Sequence, residues 1–276
     1  MTLELTTIIM LTRDRIELTK KCVESIIRHT DVPYEWVFVD NGSTDGTVEY
    51  LKSIDRAKVI VNEENKGFAA GCNQGIAVAE GKYYLLINND TVVTEGWLRH
   101  LHEWLQKDPS IGIVGPVSNF VAPIQRVDDA VYKTQEEMDN YARSRSVIYQ
   151  GRGFYPHRLI GLCLLFPKEV VDKIGVLDER FFPGNYEDDD FCIRARIAGY
   201  KLWVAQNVFI HHEGHGTFGG RDMKYKLLSL ENAERFRKKW SIGHSAFEID
   251  QCGYNPSEIV AREIHFIPDR HVVRIE

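Results

Sequence analysis

KVIVNEENKGFAAGCNQGIAVAEGKYYLLINND, residues 58–90, reads as strand, helix and strand in one unit. KVIVN at 58–62 is a short apolar run, the spacing over 68–79 predicts a helix stopped by Gly81, and YYLLI at 83–87 is a second strand. The same alternation extends to either side. TTIIML at 6–11 is followed by Ile16, Val23 and Ile27, and by Leu18, Cys22 and Ile26, at helical spacing. EWVFVD at 35–40 precedes a helix near 47–54 that Thr44 or Asp45 can cap, and YYLLI precedes the amphipathic WLRHLHEWLQK. Such alternation predicts an α/β fold: a mostly parallel, Rossmann-like sheet with helices on both faces and its ligand at the carboxyl ends of the strands.

The regularity lapses after IGIVG at 111–115. Residues 116–156 mix polar and aromatic side chains without a clear period and read as a variable insert. Regular structure returns with LIGLCLLF at 159–166, a short helix at 168–174, an acidic helix, the strand-like KLWVA and NVFIHH, and a charged amphipathic helix at 222–240. Residues 1–240 are therefore expected to form one domain and 241–276 a C-terminal helical or strand extension of unknown role, with strand-like HVVRI at 271–275.

A chain of 276 residues with 43% hydrophobic content can bury a substantial core. Its net charge of −6 argues against nucleic acid as a partner, because phosphate contacts demand a basic surface. Five cysteines without CxxC spacing suit a reducing compartment, so a cytoplasmic location is expected. The first residues read as a strand and not as a signal peptide. No apolar run reaches the roughly 20 residues that span a bilayer, which leaves peripheral contact at the inner face as the expected mode of any membrane association.

Polar clusters follow the predicted strands. VDNGSTDGT at 39–47 places Asp40 at a strand end, where it could accept from a ribose hydroxyl or a base N–H; the same composition also suits an ordinary turn. NKGFAAGCNQGI at 65–76 is rich in small residues that admit close approach of a ligand or of a packed helix, and it is neither a P-loop nor a GxGxxG. INNDT at 87–91 offers Asp90 and neighbouring amide oxygens to a hard divalent cation. FIHHEGHGT at 209–217 carries three histidines in a glycine-broken loop, which is not a helical HExxH zinc site.

FFPGNYEDDDFCIRARIAGY at 181–200 starts a helix with Glu187, Asp188, Asp189 and Asp190. Acidic residues suit the positive end of a helix dipole without any further role. Helical spacing, however, aligns Asp188 with Phe191, Cys192, Ala195 and Gly199 on an apolar stripe, whereas Asp190 precedes Arg194 by four, as in an exposed ion pair. A carboxylate aimed inward is costly unless it is used.

The order of these motifs, with IGVLDERFFPGNYEDDDFCIRARIAGY and FIHHEG following VDNGSTDGT, NKGFAAGCNQGI and LLINNDTVVTEGWL, resembles inverting glycosyltransferase family 2 with its GT-A fold, over about residues 5–240. The likeness is greatest to bacterial rhamnosyltransferase-type enzymes of surface polysaccharide assembly. The resemblance implies nucleotide contacts from Thr12, Arg13 and Asp40, and a donor-side loop containing Asn65, Gly67 and Asn73. Asn88, Asn89 and Asp90 stand at the metal-binding DxD motif, with Asn88 where the motif has Asp. Asp188 then corresponds to the catalytic base, kept ionised by the helix dipole; Glu187 would orient the acceptor, and His211, with His212 as its competitor, would help to hold metal. The implied cofactor is Mn²⁺ or Mg²⁺. The implied donor is a UDP- or dTDP-linked sugar, and the implied acceptor is saccharide, lipid-linked or protein. A catalytically inactive sugar-nucleotide-binding module and a sugar nucleotidyltransferase are the alternatives, the latter weakened by LTRDRIELTK where a Gly-rich basic loop belongs.

Overall fold

The computed structural model describes residues 4–214, 223–242, 254–263 and 265–274. In chain order the elements begin with β1 (Thr6–Thr12), α1 (Ile16–His29), β2 (Tyr34–Asp40), α2 (Thr47–Lys52), β3 (Lys58–Val61), α3 (Phe68–Ala77), β4 (Tyr83–Asn88) and β5 (Thr91–Val92). Next come α4 (Trp97–Lys107), β6 (Ile111–Ser118), α5 (Gln135–Ile148), β7 (Gly153–Phe154), β8 (Cys163–Pro167) and α6 (Lys168–Ile174). The acidic helix α7 (Glu187–Ile197), the long strand β9 (Lys201–His212), α8 (Met223–Trp240), α9 (Pro256–Arg262) and α10 (Pro268–His271) complete the described chain.

The sheet order is β3-β2-β1-β4-β8-β6-β9-β5, with β7 also paired to β9. The first four strands are parallel, and their register sets Thr12 opposite Asp40 and Leu11 opposite Asn88. Three predicted site residues are thereby lined up along one carboxyl edge. The other half departs from the mostly parallel expectation: β8 runs antiparallel to both β4 and β6, and β5 and β7 run antiparallel to β9. The long connection through α5 returns the chain to the sheet in the reverse direction.

Alternate strand residues feed opposite faces. Ile9, Val37, Val39 and Leu86 pack with Cys72, Ile76, Phe191 and Cys192 of α3 and α7, whereas Ile8, Met10, Phe38 and Leu85 pack with Val23, Ile26, Leu98 and Leu101 of α1 and α4. Helix α3 lies very close to β1. A Cβ on Gly71 or Gly75 would stand 2.3 Å from Leu11 Cδ1 or 2.4 Å from Ile9 Cγ2, so these glycines serve helix packing. A third core joins Ile193 of α7 to Phe236 and Trp240 of α8 and to Tyr254 and Ile259 near and in α9.

The region 116–156 is more regular than expected. β6 continues through Ser118, and α5 starts with a reciprocal capping box between Thr134 and Glu137. Its Arg145 donates from Nε to the Gln206 carbonyl at 3.0 Å, fixing α5 over β9. LIGLCLLF is only partly a strand, since β8 begins at Cys163. KLWVA and NVFIHH form one strand, β9. HVVRI is not a strand: His271 ends α10, and Val273 makes only an isolated bridge to Gly175. Pro268 starts a helical turn there, which local β-propensity does not override. His215 to Asp222 and the stretches 243–253 and 275–276 lie outside the described residues.

Candidate active site

A cavity of about 230 Å³ opens at the carboxyl edge of the parallel strands. Leu11 and the Asn88-Asn89-Asp90 turn form one side; Ile160, Gly161 and Leu162 ahead of β8, with Glu187 and Asp188 at the start of α7, form the other. Phe68 and His212 also reach it. Its described lining contains three carboxyl groups and one histidine but no lysine or arginine.

Asp188 is partly buried. Its Oδ2 accepts from the Gly161 backbone N–H at 2.8 Å, and its Oδ1 accepts from the Asp189 N–H at 2.9 Å. Burial and the Asp189 charge raise its pKa to about 6, against the Gly161 N–H and the Arg158 charge, which favour the ionised form. The helix dipole therefore does not dominate this carboxyl, contrary to expectation. Glu187 is 6% exposed, and among the described residues its Oε2 has no hydrogen-bond partner. Burial, then the Asp188 charge, raises its pKa well above the ordinary carboxylate value.

The apolar-stripe argument was incomplete, because the first turn of α7 is enclosed nearly all round. Asp189 spans both oxygens to Arg158 Nη1 at 3.0 and 3.2 Å. Asp190, expected in an exposed pair, is 0% exposed. It meets Arg194 Nε at 2.7 Å, Lys239 Nζ at 2.6 Å and Trp240 Nε1 at 3.0 Å. Helix α8 and the α6–α7 connection cover that face; Arg194 also donates to the Ile174 and Val176 carbonyls at 2.6 and 2.7 Å.

The two histidines separate because consecutive strand residues face opposite ways. His212 Nε2 lies 3.2 Å from Asp90 Oδ1, and His212 Nδ1 donates to the Phe120 carbonyl at 2.6 Å. That carbonyl fixes Nδ1 as the donor, leaving Nε2 directed toward Asp90. Burial disfavours the imidazolium, but Asp90 and the Phe120 carbonyl prevail and raise the His212 pKa. His211 instead meets Tyr132 Oη at 2.5 Å and borders a different cleft. The geometry reverses the expected preference for His211.

Among the described residues, no three His, Cys, Asp or Glu side chains stand together as a closed metal site. Asp90 and His212 offer an oxygen and a nitrogen at the cavity edge with Asn88 beside them, an incomplete donor set that accommodates a hard cation whose remaining ligands are phosphate and water.

Asp40 does not present a free carboxylate. Its oxygens accept from Thr12 Oγ1 at 2.9 Å, Ser43 Oγ at 2.5 Å, and the Gly42 and Ser43 N–H groups at 3.1 and 2.8 Å. Those four bonds use its acceptor sites to hold the loop, so neither Asp40 nor the buried Thr12 is poised for a base as expected. Asn73 is likewise committed, to the Leu177 N–H and carbonyl at 3.0 and 2.9 Å and to Glu179 Oε1 at 2.8 Å. It ties α3 to the segment leading into α7.

Asn65 Oδ1 accepts from the Gly67 N–H at 2.9 Å and from Asn41 Nδ2 at 3.1 Å. Gly67 has φ +86°, and an added Cβ would come 2.8 Å from Phe182, so both conformation and space require glycine. Asn89 lines the cavity while donating to Thr19 Oγ1 at 2.9 Å, and Arg13 is exposed. Sequence reasoning overlooked Gly161, Arg158 and Phe120. Of these only Gly161, a glycine interrupting an apolar run, had a local signal.

The family model for glycosyl transferase family 2 matches residues 7–175. An uncharacterized protein, y4gI, of Sinorhizobium fredii is 26% identical over 277 residues, covering 94% of this chain and 29% of its own. N-acetylglucosaminyl-diphospho-decaprenol L-rhamnosyltransferase of Mycobacterium tuberculosis is 25% identical over 236 residues, with 74% of each chain covered. Among solved structures, GalNAc-T7 with UDP, GalNAc and Mn²⁺ superposes with a TM-score of 0.65 at 18% identity, over 86% of this chain and 48% of that one. The sheet and its ligand edge thus define a GT-A glycosyltransferase domain. The chain belongs to glycosyl transferase family 2. It spans less than a third of the length of y4gI. No helix among the described residues is long and apolar enough to cross a membrane.

Proposed function

We propose that this chain transfers a sugar from a nucleoside-diphosphate sugar to an acceptor hydroxyl with inversion at the anomeric carbon. The observation that carries the reading is that Asp188 and Asp90, from separate elements, line one cavity at the carboxyl edge of the sheet. Asp188 accepts the acceptor's proton, held by the Gly161 N–H and kept basic by burial and Asp189. Asp90 and His212, with Asn88 alongside, would hold Mn²⁺ or Mg²⁺. When bound, that cation supplies positive charge for the departing diphosphate. Asn89 and Gly67 keep the neighbouring turn and the start of α3 in place, and Asn65 fixes Gly67.

UDP- or dTDP-linked sugars are the proposed donors, supported by the UDP-bound GalNAc-T7 neighbour and the L-rhamnosyltransferase relative. A lipid-linked saccharide is the proposed acceptor, in bacterial surface glycan synthesis, because that relative is named for a diphospho-decaprenol substrate. The retained Asp90 and Asp188 favour an enzyme over an inactive binding module, although Asn88 replaces the first DxD carboxylate. The test is a panel of UDP-, dTDP- and GDP-sugars with Mn²⁺, scored for nucleoside diphosphate release with and without glycoside acceptors. Acceptor-dependent release from one donor supports the reading; binding without turnover across the panel refutes it.

A further inference from the structure

Residues 157–161 lead into β8 with no helix or strand of their own, yet each is held by a different part of the fold. The His157 carbonyl accepts from Arg196 Nη1 at 3.1 Å, and His157 Nδ1 meets Ser257 Oγ at 2.9 Å. Arg158 Nη1 spans both oxygens of Asp189. The Leu159 N–H donates to Cys192 Sγ at 3.3 Å, the Ile160 N–H to Gln125 Oε1 at 2.8 Å, and the Gly161 N–H to Asp188 Oδ2 at 2.8 Å. Buried backbone N–H groups need partners, which accounts for the last three. It does not account for a buried guanidinium, whose desolvation is costly unless its pairing is used.

The pairing closes a ring around Asp188. Gly161 reaches Oδ2 from the loop, the Asp189 N–H reaches Oδ1 from the helix, and Arg158 joins that loop to Asp189. One N–H alone leaves a carboxylate free to turn about its last bond. A second N–H from another segment fixes its plane, provided that segment keeps register, because hydrogen bonds weaken steeply as distance and angle drift. Arg158 supplies that register three residues before Gly161.

The anchor extends into the C-terminal extension. Asn255 caps α9 by accepting from the Ser257 and Glu258 N–H groups at 3.0 and 3.3 Å, and Ile259 packs in the core with Phe236 and Trp240. Ser257 so placed meets His157 and also accepts from Arg196 Nη2 at 3.3 Å. The residue before Arg158 is thereby held between α7 and α9.

We propose that Arg158 is a positioning residue for the base: paired with Asp189, and steadied by Ser257 of the C-terminal extension through His157, it keeps the Gly161 N–H in register with Asp188. This rests on the reading of Asp188 as the base, and it gives residues beyond 240 a part in the site. The titratable and charged groups around Asp188 are Glu187 and Asp189 on its own helix, Arg158 across the loop, and Asp90 and His212 at the cavity. Cys192 beneath it is a neutral thiol, its pKa raised by burial.

The first test needs no substrate. The chain is labelled with ¹⁵N-glycine, and the Gly161 cross-peak is identified by its loss in Gly161→Ala, where a Cβ would make only ordinary contact, at 3.5 Å, with Asp188 and Phe68. In the parent it should move downfield as Asp188 ionises, about pH 6. Folded Arg158→Gln should lose most of that movement, and Arg158→Lys, which keeps one nitrogen for Asp189, should restore part of it. A parent cross-peak that does not titrate between pH 4.5 and 8, or one that titrates fully in Arg158→Gln, overturns the proposal.

The second test uses the donor and glycoside acceptor found by the nucleotide-sugar panel. Arg158→Gln should lower kcat about tenfold while leaving both KM values near the parent, the pattern of a displaced base. The losses in Arg158→Gln and Asp189→Asn should not multiply in the double variant, because the pair acts as one unit; an unaltered kcat in Arg158→Gln, or losses that multiply, overturns the proposal. Should Arg158→Gln fail to fold, Ser257→Ala carries the test from the far end of the contacts. It should reduce the Gly161 movement and lower kcat about threefold, the scale of one neutral hydrogen bond; an unaltered Gly161 titration there overturns the link. Failure of the broader reading looks different: normal turnover in Asp188→Asn removes the base assignment and leaves the dependence of the Gly161 cross-peak on Arg158 as measured.

Discussion

Asp188 sits where two opposing influences meet. Burial and Asp189 favour its protonated form, while the Gly161 N–H and Arg158 favour the carboxylate, leaving a pKa of about 6. As a base it must be ionised, so kcat/KM should fall as pH drops through about 6 and level off above it. Asp188→Asn should reduce transfer by at least about 10²-fold while retaining donor binding. The same raised pKa has a stability consequence of defined sign. The folded chain holds this proton more tightly than the unfolded chain, so stability is lost as pH rises from the unfolded value toward about 6. Asp188→Asn should accordingly be more stable than the parent at pH 7.5, by on the order of 2 kcal/mol in denaturant titrations. His212 gives a second residue-level expectation. His212→Ala should weaken Mn²⁺-dependent UDP binding in calorimetry, and His211→Ala, which loses contacts with Tyr132 and Glu213 away from the cavity, should leave it near the parent value. Equal losses in the two variants would contradict the assignment. Excess chelator should reduce UDP affinity in the parent and have little effect in His212→Ala.

At the scale of elements, α7 shows how much of the site was legible and where the reading stopped. The i, i+4 spacing of Asp190 and Arg194 correctly paired them but could not reveal that Lys239 and Trp240 of α8 close over the pair, more than forty residues away. Asp189 similarly meets Arg158 from a loop that carried no periodic signal. Strands β1 to β4 and helices α1 to α4 were readable because the parallel strands, covered on both faces, are short continuous apolar runs and the helices between them repeat near 3.6 residues. Helix α5 was missed despite its Thr134 and Glu137 cap, since its inward side offers only Met138 and Ala142 as buried apolar residues. Asp40 and Asn73 were recognised as polar residues after strands or within a loop; their partners Ser43 and Leu177 then use their hydrogen bonds for architecture. Asp190→Asn tests the architectural role of α7. Leaving Arg194 and Lys239 buried against an amide should cost about 3–5 kcal/mol of unfolding free energy. A loss below about 1 kcal/mol in denaturant titration, the level of an exposed pair, would contradict the buried arrangement.

Across the whole molecule, the parallel half brings Leu11, Asn88 and the following Asp90 to one edge, and the antiparallel return through β8 brings the Ile160–Leu162 loop against Asp188. The C-terminal helices then clamp the outer side of α7 through Phe236, Trp240 and Ile259. In the proposed reading Asp188 on α7 is the proton acceptor, Asp90 and His212 after β4 and on β9 face the diphosphate, and no enzyme nucleophile is called for. A single displacement between them would then invert the anomeric centre. The most direct measurement is NMR of the purified product, with its anomeric coupling compared with that of the donor sugar under single-turnover conditions. Inversion is the predicted result; retention of the donor's configuration would contradict both the direct displacement and the role of Asp188 as the acceptor's base.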